Sequence, residues 1–167
     1  MNTPDKILES RTVVRFQDCD PFNHLNNAAY LNYLVNARED QLVAHYGINI
    51  YDVKSLGGKS WVVSSNQIAY IRPAQLMEEV VMQSQLIGFN DTETHVELRM
   101  YNADKSQLKA VMWGRYVHVD LVNQKRAPHS EELMTLFEQA LLEVDQENFE
   151  QRSAHLRLEY SPRRPKK

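Results

Sequence analysis

Hydrophobic residues recur along this chain with two different spacings, and the switch between them marks out its elements. From Arg11 to Gln17 the period is two, with Thr12, Val14 and Phe16 on one face and Val13 and Arg15 on the other. β-Branched residues at that period predict a strand. The ten residues before it are polar and read as a loose lead-in. Residues 18–27, DCDPFNHLNN, break the alternation with types that favour loops and helix caps. A helix is predicted from Ala28 to Tyr46, closed by Gly47. In its first half Ala28, Ala29, Tyr30, Leu31, Tyr33, Leu34, Val35 and Ala37 surround the axis, interrupted mainly by Asn32 and Asn36. A helix apolar on nearly every side has to be buried on nearly every side, so other elements are expected to wrap around it.

Four further strands are predicted at Trp61–Tyr70, Glu79–Gly88, Thr92–Tyr101 and Leu108–Val119. In the third, Val96, Leu98 and Met100 alternate with His95, Glu97, Arg99 and Tyr101. Turn residues at 88–91 and 103–106 join consecutive runs as antiparallel hairpins, and Pro73 marks the end of the first run. A last helix is predicted over about 130–147: Ser130 is its N-cap, and Glu131 and Glu132 suit its first turn. Its apolar stripe is Leu133, Leu136, Phe137, Ala140, Leu141 and Val144. The basic, proline-containing tail, 161–167, is expected to be disordered. The fold class is therefore α+β: a curled antiparallel sheet of about five strands around a long central helix, plus a C-terminal amphipathic helix. Its core is expected within 11–120, in a single domain spanning 1–167. A curled sheet leaves an open edge that a second copy can cover, so a homodimer is expected.

Composition changes this picture little but excludes several function classes. At 167 residues the chain suits one domain. A formal charge of -3 argues against nucleic acid, which calls for a basic excess. Cys19 is the single cysteine, so no intrachain disulfide can form, in keeping with a reducing compartment. The first ten residues hold no signal-peptide core, and no run approaches the ~20 apolar residues of a membrane span. A cytoplasmic protein is expected.

The densest cluster of polar functional groups is Asp18, Asp20, Asn23, His24, Asn26 and Asn27, directly before the apolar helix. A helix start offers free N–H groups and partial positive charge, which suit a carbonyl oxygen that becomes an oxyanion. Asp20, a few residues upstream, is placed to attack that carbonyl or to activate a water. The pairing supplies both halves of acyl-transfer chemistry.

The run VRFQDCDPFNHLNNAAYLNYLVNARED resembles the 4-hydroxybenzoyl-CoA thioesterase-like branch of the hotdog superfamily. Its D-x-D-x-x-x-H-x-N-N-x-x-Y pattern (Asp18, Asp20, His24, Asn26, Asn27, Tyr30) is also similar to that of acyl-ACP thioesterases. NQIAYIRPAQLMEEVVM looks like the family's second strand, and with VHVD near His118 and Asp120 the resemblance runs in order over roughly 11–120. It implies a hotdog fold, hydrolysis of an acyl-CoA or acyl-ACP, and a homodimer or tetramer. Asp20 would be nucleophile or general base, the Asn27 backbone N–H would polarise the carbonyl, and His24 and Asn26 would orient water or carbonyl. Some members carry a histidine seven residues after the aspartate, where this chain has Asn27; His24 thus stands open as base, orienting group or cap. The substrate pocket is expected along the helix, at Tyr30, and near Ser64, Ser65 and Asn66 of a neighbouring subunit. Arg72 and the lysines near Gly57 and Gly58 are candidates for CoA phosphates. No cofactor and no metal is expected.

Plainer readings stand beside these. Asn26 and Asn27 equally suit capping, and Asp18 suits a loop hydrogen bond. Asp18, Asp20 and His24 lack the second ligand cluster a metal site would need. His118 reads as a core or interface histidine, and Trp61 and Trp113 as core or interface anchors. Two other functions fit the fold: hydration or dehydration of an enoyl thioester, and acyl-carrier binding without turnover.

Overall fold

The computed structural model describes residues 4–161. Strand β1 (Ile7–Val13) leads through a short 3₁₀ turn to helix α1 (Asn27–Tyr46). Four long strands follow: β2 (Lys59–Tyr70), β3 (Glu79–Phe89), β4 (Glu93–Asn102) and β5 (Leu108–Asp120). A two-residue β6 (Lys125–Arg126) pairs with the end of β5. The chain closes with α2 (Glu131–Ala140) and α3 (Phe149–Glu159). The sheet is antiparallel throughout, in the order β1-β3-β4-β5-β2, so α1 carries the chain from one edge to the other across its face.

The long strands and α1 lie where the hydrophobic pattern predicts them, because that pattern also decides which side of each element loses water. Val96, Leu98 and Met100 of β4 meet Leu34 and Ala37 of α1 in the main core. Asn26 caps the helix by accepting the Ala28 N–H at 3.0 Å, and Gly47 ends it at φ 68°, in the left-handed region that glycine enters without strain.

Three expectations need correction. The first strand begins at Ile7 and ends at Val13, because Ile7–Ser10 pair with Gln85–Met82 of β3, while Phe16–Asp18 turn away. Long-range pairing made a strand of residues with little period of their own. The sheet covers only one face of α1: Tyr30, Leu34, Ala37 and Gln41 are buried, whereas Ala28, Leu31 and Val43 are exposed. The last predicted helix, 130–147, ends early at Ala140, and a further helix that the pattern did not predict follows it. The chain turns extended at Leu141, where Leu142 N–H donates to Leu86 C=O (2.9 Å) at a point of β3 beyond the start of β1. Helix α3 then covers the opposite face of the sheet. Phe149 and Leu156, two turns apart, pack on Val81, Tyr101, Val111 and Trp113. Of the predicted disordered tail, residues 162–167 lie outside the described residues.

Candidate active site

The polar segment before α1 folds back on itself as a small irregular hairpin. Asn26 N–H donates to Asp18 C=O (2.8 Å), Cys19 bridges Leu25, and Asp20 N–H donates to His24 C=O (2.8 Å). Asn23, at the tip, takes φ 60°, a conformation asparagine tolerates better than most residues. A second segment, 74–78, locks the hairpin from outside: Leu25 N–H donates to Ala74 C=O and Leu76 N–H to Asn23 C=O, each at 2.9 Å.

Within this frame the two aspartates differ. Asp18 accepts the Tyr33 hydroxyl at 2.7 Å, and Tyr33 in turn accepts the Arg15 N–H, so this carboxylate ties the loop to α1. Asp20 Oδ1 accepts the Phe22 and His24 N–H groups at 2.9 and 3.1 Å. Its Oδ2 has no hydrogen-bond partner among the described residues. The carboxylate is thus held by one oxygen and free at the other. Burial, followed by the flanking aspartates, pushes the Cys19 thiol above its ordinary range.

Two rungs of the hairpin, roughly 7 Å, separate Asp20 from the start of α1. There Asn26 spends its side chain on the cap, while the Asn27 N–H has no partner among the described residues. The Asn27 carbonyl accepts the Tyr70 hydroxyl at 2.8 Å, which pins the helix mouth to the end of β2. Tyr30 is 2% exposed, its ring edge-on to Tyr70 and its hydroxyl accepting the Ala74 N–H. Tyr30 therefore helps to hold segment 74–78 in place. His24 is half-buried beside Asp20.

The remaining candidates lie elsewhere. Ser64, Ser65 and Asn66 sit exposed at a bulge of β2, the uncovered sheet edge, with Ser64 donating to Arg115 C=O. Asn66 pairs with Gly114, on the side of the sheet that faces α1. Arg72 donates to Tyr160 C=O at 3.4 Å, in a cleft it shares with Lys105 and Gln107.

Helix α1 lies over β1, β3 and β4 and meets β2 chiefly at its mouth, through Tyr70. A groove between α1 and β2 therefore leads away from the helix mouth. On the helix it follows Asn27, Leu31, Val35 and Arg38, which three- and four-residue steps place on one face. It ends in a cavity of about 150 Å³ lined by Val35, Arg38 and Leu42, by Trp61 and Val63 of β2, and by Tyr116 of β5.

A model of the thioesterase-like superfamily matches residues 14–137, most of the chain and all of this site. The chain belongs to that superfamily. This places it among the hotdog-fold thioester hydrolases. It is 28% identical, over 132 residues, to the long-chain acyl-CoA thioesterase FadM of Escherichia coli, covering 79% of this thioesterase and 98% of FadM. The solved structure of YbaW, a probable thioesterase from Escherichia coli, superposes with a TM-score of 0.69 at 27% identity, over 81% of this chain and 99% of that one. SAV2348 from Staphylococcus aureus, solved in complex with CoA, shares the fold at a TM-score of 0.75 and 11% identity, over 87% and 92% of the two chains.

Sequence reasoning missed three contributors near the site of this thioesterase. Arg157 of α3 reaches the Tyr70 carbonyl at 3.0 Å, close to the helix mouth. Arg38 and Tyr116 converge on the cavity from elements far apart in the chain. Neither residue stands in a local pattern that signals it. No helix among the described residues is long and apolar enough to cross a membrane.

Proposed function

We propose that this thioesterase hydrolyses an acyl-CoA to a free acid and CoA, with Asp20 as its catalytic carboxylate. The observation that carries the reading is the pairing of a carboxylate oxygen without a partner on Asp20 with an unclaimed N–H on Asn27, at two ends of one rigid hairpin. The thioester carbonyl docks on the Asn27 N–H, where the helix dipole favours charge growing on oxygen. Either Asp20 takes a proton from the attacking water and the tetrahedral species collapses to the acid, the proton passing to the departing CoA thiolate, or Asp20 attacks the carbonyl carbon, expels the thiolate and leaves a mixed anhydride that a water then hydrolyses to the free acid. His24 and Asn26 orient the water and the carbonyl, and the acyl chain runs down the α1–β2 groove. A CoA thioester, rather than a carrier-protein one, is favoured by what FadM acts on and by the CoA held by SAV2348.

A second copy completes the site. Strand β2 is a long edge with Val62 and Val63 45% and 50% exposed, and the groove beside it exposes Leu31 at 37%. Edge-to-edge pairing of two β2 strands joins the sheets and roofs both grooves. Ser64, Ser65, Asn66 and Arg72 then serve as substrate contacts at or near the joint.

The test is thiol release from a panel of acyl-CoAs, with Asp20→Asn alongside and the assembly state read by analytical ultracentrifugation. Asp20→Asn should lower kcat by about 10²–10⁴-fold in a protein that stays folded and dimeric. Unchanged turnover removes Asp20 from the mechanism. Hydration of an enoyl-CoA without thiol release would place the protein in the other catalytic class of this fold.

A further inference from the structure

We infer that the cavity beneath α1 selects acyl chains that carry a carboxylate at their far end. This rests on the hydrolase reading above and names the substrate class. Arg38 lines the cavity and forms no ion pair among the described residues. One of its N–H groups donates to Ser84 Oγ at 3.0 Å, and Ser84 donates onward to Gln41. A guanidinium keeps its charge in any protein environment, so burial cannot neutralise it. Arg38 is half-buried; a cation partly withdrawn from water with no ion-pair partner is costly, and an anionic ligand reduces that cost.

Tyr116 points to the same ligand. Its hydroxyl is buried, borders the cavity and has no hydrogen-bond partner. The ring lies back over Gly114, where a Cβ would stand 2.8 Å from the ring edge and 2.9 Å from the hydroxyl oxygen. A larger residue at 114 would push that hydroxyl away. Arg38 and Tyr116 together offer donors to a mostly apolar space. Glu39 also borders the cavity, and its carboxylate is held by the Tyr51 hydroxyl at 2.7 Å.

Position in the groove fits a distal group. Asn27 and Arg38 are eleven residues apart on α1, roughly 16 Å along the axis. A thioester carbonyl at Asn27 thus leaves room for an extended apolar chain before its end meets Arg38. An acyl group that ends in a methyl reaches the same place but leaves the guanidinium unpaired. Discrimination between the two ends follows from the bond one makes and the other cannot.

The experiment compares acyl-CoAs of matched length ended by methyl, hydroxyl or carboxylate, in wild type, Arg38→Met, Arg38→Lys and Tyr116→Phe. Non-hydrolysable thioether analogues of the same set are titrated calorimetrically. Wild type should favour the carboxylate-ended chain by at least about tenfold in kcat/KM, as a charge-assisted bond supplies. Arg38→Met should erase that preference, Arg38→Lys keep part of it, and Tyr116→Phe reduce it a few-fold. If Arg38→Met fails to fold, Arg38→Lys and Tyr116→Phe decide the question. Equal use of methyl and carboxylate ends, or preference for the hydroxyl end, overturns the inference and leaves the hydrolase reading intact. If no thioester is cleaved, the hydrolase reading fails alone. The thioether titration then decides the cavity: tighter binding of the carboxylate end that depends on Arg38 sustains it, and equal binding overturns it.

Discussion

Each face of the sheet places a charged side chain beneath a helix, and the two faces complete that charge differently. On the outer face Glu97 is 0% exposed. Arg152 of α3 reaches both its oxygens at 2.8 Å, and Trp113 Nε1 adds a third bond at 2.8 Å. Only Arg99 Nε, 3.5 Å from Glu97 Oε1, is left without a hydrogen bond there. On the inner face Arg38 has Ser84 alone and Tyr116 has nothing. A charge completed by its own chain holds elements together. A charge left incomplete beside a cavity and a groove is free to read a ligand. The same chemistry is structural under α3 and selective under α1, and what separates them is whether the fold supplies the counter-charge.

Breaking the closed cluster should have the largest effect on stability. Glu97→Ala strands Arg152 and the Trp113 N–H under α3 and should cost about 3–5 kcal/mol, read from urea unfolding. Thiol release per folded molecule should change less than stability, since Glu97 lies on the face of the sheet away from Asp20 and Asn27. A loss below about 1 kcal/mol would mean that α3 is held by Phe149 and Leu156 rather than by the ion pair.

Opening the incomplete side should go the other way. Arg38→Met removes a half-buried charge without orphaning a partner charge, so the melting temperature should hold or rise even as selectivity falls. A clear drop in melting temperature would mark Arg38 as a structural residue and dissolve the contrast between the faces. Tyr116→Phe, which gives up no hydrogen bond, should likewise be neutral or stabilising by up to about 1 kcal/mol.

The smallest effect concerns pH and again divides the faces. On the outer face His95 stands edge-on to Trp113, and burial, followed by Arg115, pushes its pKa down to about 4. The unfolded chain takes up that proton near 6.5, so between these values it binds more protons than the native state. This contribution to stability is whole above 6.5, is lost as pH falls toward 4, and changes no further below. Urea midpoints at pH 7 and pH 5 should therefore differ less in His95→Gln than in wild type. On the inner side His118 and His129 stack at 4.7 Å with pKa values lowered first by burial, so they preserve part of the pH dependence in that variant. Identical pH dependence in both proteins would show that His95 titrates alike in the folded and unfolded chains.

How legible each part was in the sequence follows from how local its cause is. The caps at Asn26 and Gly47, the alternation in β4 and the turns at 88–91 and 103–106 are set by neighbours within a few residues. Helix α3 escaped notice because FEQRSAHLRLE is mostly polar and buries little beyond Phe149 and Leu156. A helix held by two apolar residues and one arginine on a carboxylate 55 residues away leaves no apolar stripe to detect. The Asp20–Asn27 segment was legible because all its parts lie within one short run.

The chain order thus determined, by itself, the strands with a clean period, the long helix with both its caps, and the placing of a carboxylate shortly before that helix. Each depends on φ/ψ preference, capping chemistry or side-chain period, which are properties of adjacent residues. Only the tertiary structure decided that Asp18 is spent on Tyr33, that Tyr30 is a buried strut, and that α1 lies over β1, β3 and β4 rather than over the β2 edge. Only it set Arg38 and Tyr116 beside one cavity without a counter-charge. Those outcomes depend on which groups lose water together, and residues tens of positions apart meet only when the sheet has formed.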